Sequence, residues 1–103
     1  MIVELSVVPI GVGESLSEYI AKACEVIRKS KVEHELTDMG TIMKVGNFEE
    51  LGKLVDKIVE ELKEDCPRIF VVIKADERFK DVDLGYKVTA VEKRLKENCQ
   101  VAG

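Results

Sequence analysis

The sequence predicts an α+β domain in which strands and helices follow one another as β-α-β-β-α-β, with a further helix at the C-terminus. Three observations carry this. Two long segments repeat apolar residues at i, i+3, i+4 and i+7, four shorter ones are alternating or continuous apolar runs, and glycine, proline and cap residues punctuate the joints.

Ile2 to Val8 reads as the first strand, with Val3, Leu5 and Val7 on one face and Glu4, Ser6 and Val8 on the other. The loop Pro9-Ile10-Gly11-Val12-Gly13 follows, its glycines free to adopt positive φ and to approach a bound group closely. Ser15 and Glu18 have capping-box spacing and open a helix of about Ser15 to Ser30, striped by Leu16, Tyr19, Ile20, Ala23, Val26 and Ile27. A helix start behind such a loop favours anionic or polar groups, although a well-capped turn explains the same residues.

Val32, His34 and Leu36 alternate with Glu33, Glu35 and Thr37 in a half-buried strand within Lys31 to Met39. Gly40 breaks it, and Thr41 to Val45 forms its hairpin partner. Asn47-Phe48-Glu49-Glu50 is a second capping box, before a strongly amphipathic helix with Phe48, Leu51, Leu54, Val55, Ile58, Val59 and Leu62 on its buried face. Pro67 bars continuation, and Ile69 to Ile73 is a continuous apolar run of strand length. Leu84, Val88, Val91 and Leu95 mark the third helix. Two split β-α-β units joined by a hairpin give the ferredoxin-like arrangement, a four-stranded antiparallel sheet with both main helices on one face.

The 103 residues make one domain, 1–103. The second sheet face does not alternate cleanly: Val8, Phe70 and Val72 share it with Ser6, Lys74 and Asp76, as at a subunit interface around a small polar pocket. Twenty acidic against sixteen basic residues argue against a nucleic-acid or anionic-membrane surface, and the strands lack the paired aromatics that stack RNA bases. No segment is long and apolar enough to span a bilayer, and the N-terminus lacks a signal-peptide profile, so a cytoplasmic protein is expected. Cys24, Cys66 and Cys99 imply neither a disulfide framework nor a metal site, and Cys24 reads as core. His34 is the one histidine, and nothing places a nucleophile beside it. Lys74 and Asp76 share a strand face, where they can satisfy one another or hold a polar ligand, and Lys87 can reach the same region.

Glu4-Leu5-Ser6-Val7-Val8-Pro9-Ile10-Gly11, Ser15-Leu16-Ser17 with Tyr19, Met39-Gly40-Thr41, Lys74 through Arg78, and Lys87-Val88 with Val91 resemble the small thiamine-binding proteins of the YkoF-like type, in order and over nearly the whole chain. The resemblance implies a ferredoxin-like subunit, assembly as a dimer of dimers, no catalysis and no cofactor. It also implies a site for thiamine or its pyrimidine part near subunit interfaces. Carried onto matching positions, its site residues are Ser6, Gly11, Ser15, Gly40, Thr41, Asp76, Arg78 and Lys87. Two positions depart from the pattern. Lys44-Val45 stands where many relatives carry Glu-Gly, and Ala75-Asp76 where they often carry two aspartates. A pocket-lining Lys44 would disfavour cationic thiamine and suit a neutral or phosphorylated pyrimidine. Period two sets Lys44 beside Ile42 and opposite Thr41, Met43 and Val45, and lysine is seldom buried unpaired, so a solvated hairpin position is expected. Competing functions are an enzyme using the Gly11 to Ser15 loop as an anion cradle on a phosphorylated metabolite, and a regulatory small-ligand sensor, which normally accompanies an enzyme.

Overall fold

The computed structural model describes the backbone of residues 1–102 and the side chains of residues 1–98, so Cys99 lies outside the described side chains. Its elements are β1 (Ile2–Ile10), α1 (Ser17–Lys29), β2 (Glu33–Thr37), β3 (Gly40–Lys44), α2 (Phe48–Leu62), β4 (Arg68–Asp76) and α3 (Tyr86–Ala102). The strands form one antiparallel sheet in the order β2-β3-β1-β4, the α+β ferredoxin-like arrangement that the sequence predicts.

Alternation along β1 decides which face is covered. Val3, Leu5 and Val7 are buried with Met43 of β3 and Val45 just past its end, under Ala23 and Ile27 of α1 and Leu51, Leu54, Ile58 and Leu62 of α2. Val3, Ile27, Met43, Ile58 and Leu62 are below 2% exposed, and each such side chain contributes about 1.5–3 kcal/mol of burial. The other face, opposite α1 and α2, carries Glu4, Ser6 and Val8 beside their β4 partners Lys74, Val72 and Phe70.

Several local expectations change. The Ser15–Glu18 box does not form: α1 begins two residues later, with Leu16 at the N-cap and no side-chain cap. Leu16 is drawn half into the body, and its place at the cap moves Glu18 out of the position the box requires. At α2, Asn47 Oδ1 does accept the Glu50 N–H at 2.8 Å, but the Glu50 carboxylate accepts from Gly46 N–H at 2.9 Å, one residue earlier than expected. Phe48 is not on the buried face; it occupies the first residue of α2 and is 63% exposed. Leu84 precedes α3, and Val88, Val91 and Leu95 are all more than half exposed, so that apolar stripe is not buried in the fold. Among the described residues no helix is long and apolar enough to cross a membrane.

Candidate functional site

The site is built where one strand outruns its neighbour. β1 is paired with β4 along its whole length, whereas β3 reaches only as far as Leu5, which faces Thr41. There the β2–β3 hairpin turns back through Asp38 and Met39, held by the Thr37 hydroxyl, which donates to the Gly40 carbonyl at 2.8 Å and accepts the Met39 N–H. A Cβ on Gly40 would lie 2.9 Å from the Leu5 carbonyl oxygen, so only glycine lets the hairpin close this near to β1.

The space left between this hairpin, the second half of β1 and the first turns of α1 is a cavity of about 250 Å³. Residues 5–8 and 36–41 line it with Leu16, Ile20 and Cys24 of α1 and Ile58 beneath. Leu36 and Met39, 57% and 80% exposed, stand at its apolar mouth, and Asp38 adds an exposed carboxylate there. Thr41 is the buried polar residue of the described residues, 6% exposed, and its hydroxyl, which forms no hydrogen bond among them, keeps accessible surface toward the cavity. A hydroxyl in that position, in a cavity wall, is a polar handle for a ligand or a water.

The eight residues taken from the resemblance do not meet in one place within a subunit. Gly40 and Thr41 line the cavity, and Ser6 joins them, although by register its side chain points to the open sheet face. Asp76, Arg78 and Lys87 gather at the far end of β4. Lys87 pairs with Asp76, and Arg78 Nη1 donates to the Tyr86 hydroxyl at 3.1 Å. The Lys87 ammonium holds the Asp76 carboxyl below its ordinary range, and Asp76 in turn raises Lys87. Lys44 belongs to this end too: it stands on the open sheet face, bonded to Asp81 at 2.8 Å, which raises its pKa. The solvated hairpin position expected of Lys44 is only partly met: it lies on the face opposite Thr41, but its side chain is 27% exposed and paired with Asp81 of the 77–85 segment. Lys74 and Asp76 do not satisfy one another; Lys74 lies 3.9 Å from Glu4. These pairs tie α3 to the sheet.

Gly11 and Ser15 lie past the opposite end of β1, about 30 Å from Asp76 by strand rise. Gly11 has φ +88° and a Cβ there would sit 2.6 Å from Pro67 Cγ, so its glycine is explained by close packing and a left-handed turn. Ser15 is exposed. His34, half-buried, bonds through Nδ1 to the Val32 carbonyl at 2.7 Å. A wider groove of about 440 Å³ between α1 and α2 is walled mostly by long charged side chains of the two helices.

Asp38, Leu36, Met39 and Cys24 are site residues that sequence reasoning missed. Cys24 does not join the core but lines the cavity, half-buried. The available signal was the two-residue turn itself, which places an acid and a methionine at the mouth.

A family model described as thiamine-binding protein matches residues 3–92. A UPF0045 protein of Methanothermobacter thermautotrophicus is 34% identical over 96 residues, covering 89% of this chain and 96% of the relative. The crystal structure of a hypothetical protein from Methanocaldococcus jannaschii superposes with a TM-score of 0.79 at 32% identity, over 88% of this chain and 94% of that one. A Thermotoga maritima structure, of a protein provisionally assigned to thiamine biosynthesis or salvage, shares the fold with a TM-score of 0.76 at 24% identity, over 87% and 96%.

Proposed function

We propose that this chain, which belongs to the thiamine-binding protein family, is a non-catalytic binding protein that takes thiamine or a hydroxymethylpyrimidine-like compound in the cavity beneath the β2–β3 hairpin. The observation that carries this is Thr41, a nearly buried residue whose hydroxyl has no partner among the described residues and keeps accessible surface in the wall of a cavity large enough for a single heteroaromatic ring. Asp38 at the mouth supplies the charge that suits a cationic thiazolium, the role that Lys44 cannot fill from the other side of the sheet.

The same reading makes the protein a homo-oligomer. Phe70 and Val72 are 50% and 42% exposed on the open sheet face, and Leu36 and Met39 rim the cavity mouth where a second subunit would complete it. An anion cradle in the Gly11 to Ser15 loop has less support, since Pro67 accounts for Gly11.

The test is calorimetry and thermal unfolding with thiamine, its phosphates and hydroxymethylpyrimidine. Saturating ligand at one hundred times Kd stabilises the fold by about 2.7 kcal/mol. Thiamine is expected to bind more tightly than its phosphates, because Asp38 repels added negative charge. No binding by any of the three at millimolar concentration removes the reading.

A further inference from the structure

The cavity wall contributed by β1 is a strand edge, not a strand face. A face would offer alternate residues, yet Leu5, Ser6, Val7 and Val8 line the cavity consecutively. The hydrogen-bond ladder says which groups that edge presents. The Met1 ammonium donates to the Val45 carbonyl at 3.0 Å, and the Val45 N–H returns to the Met1 carbonyl at 3.0 Å, a closely spaced antiparallel pair. Such pairs recur every second residue, so Val3 with Met43 and Leu5 with Thr41 are the next two. Val7 is the following member of that series. Its N–H and C=O point to the side from which the hairpin has already turned away. Residues 2, 4, 6, 8 and 10 direct theirs to β4. Pro9, next in the series, has no N–H to offer. One donor and one acceptor, side by side, are therefore left open in the wall, on a residue whose 8% exposed side chain is locked in the core.

A strand from another protein would need a longer open edge than Val7 alone. A planar ring needs only this one pair. We infer that the Val7 backbone edge is the specificity-determining element of the cavity and selects a ring with a nitrogen acceptor next to an exocyclic amino donor, the edge of a 4-aminopyrimidine. This rests on the binding function proposed above and names the chemistry it discriminates. The Val7 N–H donates to the ring nitrogen, and the amino group donates to the Val7 carbonyl. A 4-oxo ring presents these two groups in reversed order and can match only by turning over, which moves its other substituents out of place.

The test is amide hydrogen exchange by NMR on the full chain, with 4-amino-5-hydroxymethyl-2-methylpyrimidine and its 4-oxo counterpart as probes. In the free protein the Val7 amide is expected to exchange roughly a hundredfold faster than those of Val3 and Leu5. The amino probe should move the Val7 resonance and slow its exchange, and the 4-oxo probe should bind about tenfold more weakly. Val7→Pro removes the N–H without touching the β4 ladder, and should weaken the amino probe by a similar factor. A Val7 amide already protected in the free protein overturns the inference, as does equal affinity for the two probes. If Thr41 and Cys24 respond but Val7 does not, the binding function stands and this edge is not its reader. If no cavity resonance responds, the binding function itself fails and takes the inference with it.

Discussion

Replacing Thr41 with valine keeps the shape and the β-branch of the side chain and removes only the hydroxyl. Thr41 is 6% exposed and its hydroxyl has no partner among the described residues, so its loss should not destabilise the free protein. The oxygen keeps accessible surface, so water can satisfy it in the free protein and its removal is close to neutral. For a chain of 103 residues the expected change in Tm therefore stays within about 3 °C of zero. Binding should weaken. One lost hydrogen bond to the ligand is worth about 0.5–1.5 kcal/mol, a three- to tenfold rise in Kd. Thermal unfolding of the free variant and calorimetry with hydroxymethylpyrimidine measure the two effects separately. A Thr41→Val protein that loses more than about 1 kcal/mol of stability while binding unchanged would show that the hydroxyl serves the fold, and would refute its role in the cavity.

Gly11→Ala should cost about 2–4 kcal/mol, because the added methyl meets Pro67 and alanine resists positive φ; an unchanged denaturation midpoint would contradict that packing. Phe70→Asp, on the open sheet face, should weaken self-association at least about 100-fold in sedimentation equilibrium, and an unaltered oligomer would place the interface elsewhere. Lys44→Glu should leave the ratio of thiamine to thiamine-phosphate affinity unchanged while loosening the 77–85 segment, since Lys44 pairs with Asp81 away from the cavity; a shifted ratio would put it in the site. The tether of α3 has a pH window. Asp76, whose carboxyl is lowered in the fold, contributes fully above about pH 4 and loses this as pH falls through its lowered value. Lys87, raised in the fold, contributes fully below about pH 10.4 and loses this as pH rises through its raised value. Proteolysis of α3 should therefore accelerate at both extremes and in high salt, and a constant rate at pH 2 would show that other contacts hold the helix.

The succession of elements was legible in the chain because it depends on local periodicity. Leu51, Leu54, Ile58 and Leu62 can share one face only as a helix, and Val3, Leu5 and Val7 only as a strand. The same alternation correctly divided β4, setting Phe70 and Val72 on the face opposite the helices. Gly40 and Thr41, named as candidates through resemblance to a known family, line the cavity.

What only the tertiary structure decided is where chain segments stop relative to one another. Nothing local states that β3 ends opposite Leu5 while β1 runs on to Ile10, yet that difference in length opens the cavity and leaves the Val7 groups without a strand. Asp38, Cys24 and Met39 become neighbours only through this offset, so no spacing in the sequence could join them. Asp76, Arg78 and Lys87, candidates alongside Gly40 and Thr41, lie at the far end of β4 and tie down α3, because ion pairs form with whichever charge the fold brings near. Periodicity is a property of a few consecutive residues. A cavity is a mismatch between elements, and it exists only once they are packed.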